Sequence, residues 1–580
     1  MKFFRKTALL FILLISVVSL HAQKLQQYIP KDAAMVLSMD LGNLDSKISF
    51  DKLKQYDFFQ EFLNEMKKEM KNEDEKLQEL MNNPEEFGVD YMKESYAFIK
   101  VDDKGEPSGG GFIFNISDNK KFSKYFKEIV VPKAEGGVMG KMGKFQTFTD
   151  KEGVMAWSKN VGVIIVGDND AVAEGSARES NVTALTKSVL NNTPANSILS
   201  DVRYLKATKG KKSDMRFWMD YEWVMKLQMQ GNELAAMGMG SMVDMLSDLY
   251  KDTDYMVDLN FNDGRILMDS KMFTNNKTLE RMRKMTKGEL NKDFFKYLPN
   301  KNVMGYFSLA MNTENFADGM FEMFDPMIKE MGMTRGQMED MALQTLNGVG
   351  LELDKKGMYE LIKGDMVFAV TGMREFTVKK TQYDEDFNQI EVEAKQMLPE
   401  FTAMLSYGKE AELMKLVNMA VGFGVMTKEG DAYKITAPGN ELPMDMYLTM
   451  KNGVMFVTNN TDLAVGKLAN GYGKGQQMSK DQQKMMNNHS GIFFWDIPQT
   501  LNAVATYTQA EGMSDKMTDK MINVSKQSLE SMIIKTDKKI KDSYNSEFSF
   551  NFVNKRMNSL DQLFSYFNEM YLTAESSGGM

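Results

Sequence analysis

The sequence has no cysteine in 580 residues. That excludes disulfides, thiolate nucleophiles and cysteine-based zinc sites. It also removes the lipid-modified cysteine that anchors many exported proteins, so the product is not expected to be a lipoprotein. Histidine is nearly absent, with two residues. His21 falls in the leader described below, which leaves His489 as the only imidazole of the mature chain. Helices with paired metal-binding histidines are excluded, and any serine–histidine triad must use His489. After the leader, no run approaches the ~20 consecutive apolar residues of a membrane span.

The leader itself reads as a targeting segment over residues 1–22. Lys2, Arg5 and Lys6 are basic, and Thr7 to Leu20 is an apolar run of about 14 residues. That length suits a signal peptide and is short for a spanning helix. Cleavage is expected after Ala22, with export to the periplasm or beyond. Losing three positive charges takes the formal net charge from −9 to −12. Lysines and acids are interspersed, which argues against nucleic acid or an anionic membrane face as partner. The expected partners are an envelope protein, or an apolar or glycan ligand.

What remains is patterned. Tyr28 to Leu44 holds a Tyr-Ile-Pro element followed by an alternating strand-like run, and Tyr297 to Leu309 holds a similar one. Further pairs follow in the same order. Tyr96–Val101 pairs with Asp365–Val370, and Gly110–Asn115 with Phe401–Ser406. Gly162–Val166 pairs with Gly453–Val457, Arg216–Asp220 with Phe493–Asp496, and Asp258–Asn262 with Phe548–Phe552. The expected fold is α+β, as two diverged copies of an antiparallel-sheet-plus-helices unit. The expected division is 23–290 and 297–570, with a polar tail over 571–580. Helical spacing predicts long helices over Asp51 to Asn83 and Thr313 to Asn347, the second kinked or divided at Pro326. A polar excursion from Arg374 to Pro399 has no counterpart in the first half.

Three patterns bear on chemistry. Asp220 and Glu222 lie two apart on a predicted strand, so they share a face with Trp218. Paired acids beside an aromatic suit a glycan groove or a glycosidase pair; an exposed strand face suits them as well. His489 lies in the polar run Asn487-Asn488-His489-Ser490, where a solvated loop histidine is the plain reading. Ser117 to Lys120 and Ser406 to Lys409 match Ser-x-x-Lys at strand-to-helix passages, where capping serves equally. Asp102 to Gly105, Asp150 to Gly153 and Asn262 to Gly264 read as hairpin turns rather than calcium loops. No residue is assigned to catalysis, to a cofactor or to a metal.

Methionine is abundant, at 54 residues. Met237, Met239, Met242 and Met245 cluster, as do Met320, Met323, Met327 and Met331. Thioethers on one helical face suit Cu(I), an adaptable client-binding groove, or general core packing in place of leucine.

The leader, the Tyr28 to Leu44 motif and the following amphipathic helix together resemble an uncharacterised group of exported proteins of Bacteroidota-type bacteria. This is the domain-of-unknown-function family numbered four-eight-three-six. Its members open with an Ile-Pro-x-Asp-Ala element, and many look like lipoproteins; this sequence departs from them in lacking cysteine. The resemblance implies compartment and architecture but no site. The expectation is a non-enzymatic binding or structural protein of the envelope. The alternatives are a carboxylate-dependent hydrolase acting on envelope glycans, and a Met-rich chaperone-like or copper-handling protein.

Overall fold

The computed structural model describes residues 25–69, 84–102, 106–133, 137–150, 153–167, 176–210, 212–229, 247–286, 288–383, 387–436 and 444–576. The leader, the Met237 to Met245 cluster and residues 70–83 of the expected first helix lie outside them. The chain is α+β, with helices backing antiparallel strands. It divides into two units, neither of them contiguous. The first is Met1–Glu233 with Tyr250–Thr274 and Asn554–Met580. The second is Leu234–Leu249 with Asn275–Val553.

Besides the two-residue strand Val89–Asp90, which pairs with the end of Pro107–Ile116 and has no counterpart among the described residues of the second unit, the strands of the first unit are β1 (Ala33–Met39), β2 (Ser95–Val101), β3 (Pro107–Ile116), β4 (Val138–Met142), β5 (Phe145–Asp150), β6 (Gly153–Trp157), β7 (Val161–Val166), β8 (Met215–Asp220), β9 (Asp254–Asn262) and β10 (Arg265–Phe273). Their order across the sheet is β10-β9-β8-β1-β2-β3-β7-β6-β5-β4, every neighbour antiparallel. Alternation explains why β1 forms. Val36 faces a core with Tyr96, Phe98, Ile113 and Trp218, while Leu37 faces the other way. Helices Ser176–Leu190 and Val202–Ala207 supply that core with Val182, Leu185 and Tyr204. The Tyr204 ring meets Trp218 edge-on at 5.4 Å between centroids.

A second core packs Phe122 and Phe126, from the helix Asn119–Tyr125 and its π-helical continuation, against Phe148 and Trp157. The Trp157 Nε1 donates to Ser123 Oγ at 2.8 Å, satisfying the one polar atom of a fully buried indole. The C-terminal helix Ser559–Glu575 lies against the early helices Phe50–Leu53 and Asp57–Glu69. Phe564 stacks on Tyr56 and Phe58, Lys52 pairs with Asp561, and the Tyr56 hydroxyl donates to Asp561 Oδ1 at 2.8 Å. The expected polar tail from 571 is therefore helical as far as Glu575.

In the second unit the strands are β11 (Gly305–Ala310), β12 (Ile362–Tyr383), β13 (Gln389–Tyr407), β14 (Met426–Glu429), β15 (Ala432–Ile435), β16 (Met446–Lys451), β17 (Val454–Thr458), β18 (His489–Asp496), β19 (Leu529–Asp537) and β20 (Tyr544–Phe552). Their order is β20-β19-β18-β11-β12-β13-β17-β16-β15-β14. Adding ten to each label of the first unit reproduces it. In both units a helix follows the sixth strand of that order, Asn119–Tyr125 after β3 and Glu410–Gly422 after β13.

Some details depart from the sequence reading. The helix expected over Thr313 to Asn347 divides at Gly332, not at Pro326. The first piece, Thr313–Glu330, runs through the proline. It then stops where Gly332 takes a φ of 69° and Met333 N–H returns to the Ile328 carbonyl at 3.1 Å, a Schellman closure. The second piece, Arg335–Gly348, opens with a Thr334/Gln337 capping box. The excursion Arg374 to Pro399 is a two-stranded ribbon, paired without interruption from Arg374 with Leu398 to Tyr383 with Gln389. Asp258–Asn262 lies in β9 and Phe548–Phe552 in β20, which are not equivalent places in the two orders.

Candidate functional site

One set of described residues that converges on open space lies in the second unit. The segment Tyr306-Phe307-Ser308-Leu309-Ala310 is apolar on both faces. Tyr306, Ser308 and Ala310 are buried on one side with Val367, Ala369 and Ile492 nearby in the core. Phe307 points the other way. In register it faces Phe368 of β12 and Phe493 of β18, and Phe493 faces Ile534 of β19. This row of large apolar side chains is only partly covered: Phe307, Phe368 and Ile534 are 37%, 41% and 40% exposed. Isolated exposed apolar residues are ordinary, but adjacent ones in a single row are not.

One turn away, the helix Asn276–Met285 brings Met282 and Met285 to the same face. Between helix and sheet lies a groove of about 350 Å³, bounded by these methionines, Phe307, Leu309, Phe493 and Ile534. Thr286, Ser490, Thr536 and Tyr544 add hydroxyl side chains to its lining. Gly491, opposite both Leu309 and Thr536 in the register, leaves the floor low. Burial pushes the Tyr544 phenol pKa upward, so this group is neutral in the physiological range.

The acids singled out from the sequence are placed differently. The strand ends at Asp220 and Glu222 lies in the first turn of the helix Tyr221–Met229, so the two do not share a strand face. Asp220 Oδ1 accepts from Trp223 N–H at 3.3 Å, and Oδ2 takes the Arg203 guanidinium at 2.9 Å. Glu222 accepts from Lys226 at 2.6 Å and from the Asp252 N–H at 2.9 Å. Burial opposes its ionisation, but these donors hold its pKa below the usual carboxylate range. Both carboxylates therefore hold helix ends and cations. The strand expectation fails beyond Asp220, at Glu222, because the Asp220 carboxylate caps the helix that follows.

Arg203 gathers three aspartates. Besides Asp220 it approaches Asp254 at 3.4 Å and Asp201 at 3.9 Å. Asp254 is 1% exposed. Burial, with Arg203 opposing and the neighbouring acids Asp220, Asp201 and Asp252 assisting, pushes its pKa up to about 7. His489 ends the helix Lys480–Asn488 and begins β18. Its Nδ1 lies 2.8 Å from the Met485 carbonyl, an arrangement in which Nδ1 carries the proton and donates.

The two Ser-x-x-Lys sites diverge. Ser117 is exposed, and it is Asp118 that caps, accepting from the N–H groups of Lys120 and Lys121. Ser406 is buried and donates to Asp365 Oδ2 at 2.8 Å, an oxygen that also accepts from the Asn291 N–H. Lys409 pairs instead with Glu360 at 3.3 Å. At the two earlier turn readings Asp102 Oδ1 accepts from Glu106 N–H and Asp150 Oδ1 from Gly153 N–H, while residues 103–105 and 151–152 lie outside the described ones.

Residues 26–560 match the family described as Domain of unknown function (DUF4836). The chain belongs to that family. No curated protein matches it. Among solved structures, crystal form IV of TP0453 is 9% identical over 45% of this chain and 84% of that one, with a TM-score of 0.24. Crystal form III is 8% identical over 45% and 86%, with a TM-score of 0.23. Among the described residues of this DUF4836 chain, no helix is long and apolar enough to cross a membrane.

The corresponding sheet face of the first unit is lined by methionines that the strand pairing brings together. Met35, Met219, Tyr255 and Met272 follow one another across four strands in register. So do Met39, Met215, Leu259 and Met268. All six methionines are partly buried. Their signal in the sequence is a Met-x-x-x-Met repeated at 35/39, 215/219 and 268/272. On a strand, that spacing puts both side chains on one face. By contrast, Met320, Met323 and Met327 are half-buried on the helix Thr313–Glu330, and Met331 lies just past its end, 54% exposed.

Proposed function

We propose that this DUF4836 chain is an exported, non-enzymatic binding protein that holds an apolar ligand in the groove beside Phe307. The observation that carries the reading is the groove's composition: a concavity of about 350 Å³ whose walls are methionine, phenylalanine, leucine and isoleucine. Sites for small molecules fall in this size range and are mostly apolar with a few polar groups. Asp220 and Glu222, the pair that suggested a glycosidase, are engaged in capping and ion pairs. Export rests on the leader at residues 1–22, and with it a periplasmic or secreted location.

The two units are read as diverged copies of one ancestral unit. The support is the shared strand order, together with the helix after β3 and after β13. On that reading the partly covered face has been kept in both, lined by methionine in one and by aromatic residues in the other. The six methionines of the first unit favour an adaptable, client-binding face as a second role, since thioether side chains conform to varied partners.

The test is titration of the mature chain with the uncharged fluorophore N-phenyl-1-naphthylamine. Saturable fluorescence enhancement is expected, and Phe307→Asp and Ile534→Glu should each weaken it about tenfold or more, since a charge in an apolar groove costs at least ~1.4 kcal/mol. Both side chains are over a third exposed, so the fold should tolerate the changes, with circular dichroism as the check. Non-saturable enhancement, or affinity indifferent to both substitutions, sinks the reading.

A further inference from the structure

We infer that β4, the outermost strand at one end of the first unit's sheet, is a docking edge for a second copy of this chain. The two β4 strands pair antiparallel about a two-fold axis at Gly140. This surface is independent of the groove beside Phe307.

The backbone register carries the inference. β4 and β5 form a hairpin closed by the two-residue turn Gly143-Lys144, with Gly143 at a φ of 56°. Met142 and Phe145 flank that turn as a hydrogen-bonded pair, and such pairs alternate along an antiparallel ladder. Val138, Gly140 and Met142 therefore direct their backbone groups to β5. The N–H and C=O groups of Met139 and Lys141 point outward, where no strand among the described residues pairs with them. Antiparallel pairing centred on Gly140 sets Met139 of each copy opposite Lys141 of the other. Every outward group of both copies is then bonded. A two-fold contact requires this kind of self-complementary pattern.

The side chains agree with it. Gly140 falls at the closest approach of the two strands, a non-hydrogen-bonded pair with Cα atoms ~4.5 Å apart, and brings no side chain to obstruct it. Val138 lies beside Met142 of the other copy. Val138 is 65% exposed, while Met142 packs against the core that holds Tyr28, Phe145 and Val154. Docking thus covers an apolar residue that the single chain leaves in water. The Lys141 stem runs along Met139 of the other copy with its ammonium still in solvent.

The edge also lacks the usual guards. Its five residues include no proline and one charge, and its pairing with β5 has no bulge. The matching edge of the second unit, β14, is Met-Thr-Lys-Glu, with charge at Lys428 and Glu429. So short an edge buries less than the ~1,200 Å² of a stable complex, so the dimer is reversible.

Sedimentation of the mature chain tests this. The mass should rise from one chain towards two between about 5 and 500 µM. Lys141→Pro deletes an outward N–H and no hydrogen bond of the hairpin, so the fold should stand while the dissociation constant rises at least about tenfold. Because the chain has no cysteine, a single introduced thiol reports its own neighbours. Gly140→Cys sets two thiols across the axis at a separation that a disulfide spans, and the added Cβ meets only Thr147 Oγ1, at 3.0 Å. Under mild oxidation it should form covalent dimer severalfold faster than Thr427→Cys, at an exposed position of β14. A wild-type chain that stays monomeric throughout overturns the inference and leaves the edge to a strand of another protein. A dimer that Lys141→Pro does not weaken, or crosslinking no faster at Gly140 than at Thr427, overturns the placement of the interface at β4.

Discussion

Asp254 shows how far a single side chain departs from its sequence appearance. In the sequence it is one acid among many. In the structure it is enclosed at the start of β9, with Arg203 at 3.4 Å and Asp220, Asp201 and Asp252 adding negative charge. Its pKa rises from 3.8 to about 7 because burial outweighs the single guanidinium. The folded state therefore binds the proton more tightly than the unfolded state does. The stability it contributes is fully present below about pH 4, is lost as pH rises towards 7, and does not change beyond that. Asp254→Asn should remove this slope. The difference in melting temperature, wild type minus variant, should fall by several degrees between pH 4 and pH 7 and stay level from pH 7 to 9. A difference independent of pH across that window would falsify the placement of the charge. The same scale shows why Asp220 and Glu222 misled. Their proximity to Trp218 is legible, but the end of the strand between them depends on Asp220 capping the next helix, and capping residues and strand ends look alike until the following backbone is known.

At the level of elements, strands were the legible part. Period-2 alternation is local, so β1, β2, β11 and the first part of β12 stand out from the residues alone. Their order does not. β1 lies between β2 and β8, and Val36 meets Trp218 across 182 residues of chain, a pairing no local pattern encodes. The ribbon of β12 and β13 shows the opposite failure. Between Arg374 and Pro399 the composition is polar and suggests a loop. The cross-strand pairs, such as Lys395 with Glu375 at 2.7 Å, hold it as a hairpin instead. The methionine face is not legible in the sequence because a four-residue spacing fits one face of a helix as well as of a strand, and only the strand pairings bring Met35/39, Met215/219 and Met268/272 together. This placement predicts chemistry. Under mild peroxide the six should oxidise severalfold more slowly than Met331, Met341 and Met513, which are 54%, 56% and 54% exposed. Peptide mass spectrometry reads the rates, and the gap should vanish in denaturant. Equal rates in the folded protein would place these side chains in open solvent instead.

For the whole molecule, the chain does not divide where its sequence pattern turns over. The Tyr-Leu-Pro element near Pro299 suggests contiguous halves, because repeated motifs mark where a copy begins. They do not mark which unit a terminal helix packs on. Ser559–Glu575 follows the last strand of the second unit yet belongs to the first, where Phe564 stacks on Tyr56 and Phe58 and Asp561 receives Lys52 and the Tyr56 hydroxyl. The Asn558 amide also donates to the Phe261 carbonyl of β9 at 2.9 Å. The first unit therefore lacks a packed layer until the last residues of the chain are made. Ending the chain at Val553 should expose Tyr56, Phe58 and Leu259 while leaving the strands and helices of the second unit intact. Hydrogen exchange should show protection lost over Phe50–Leu53, Asp57–Glu69 and β9, and retained over β11, β18 and β19. A peptide spanning residues 554–580, added in trans, should restore protection in the first unit. Loss confined to the second unit, or none in either, would show that the helix contributes nothing to the first.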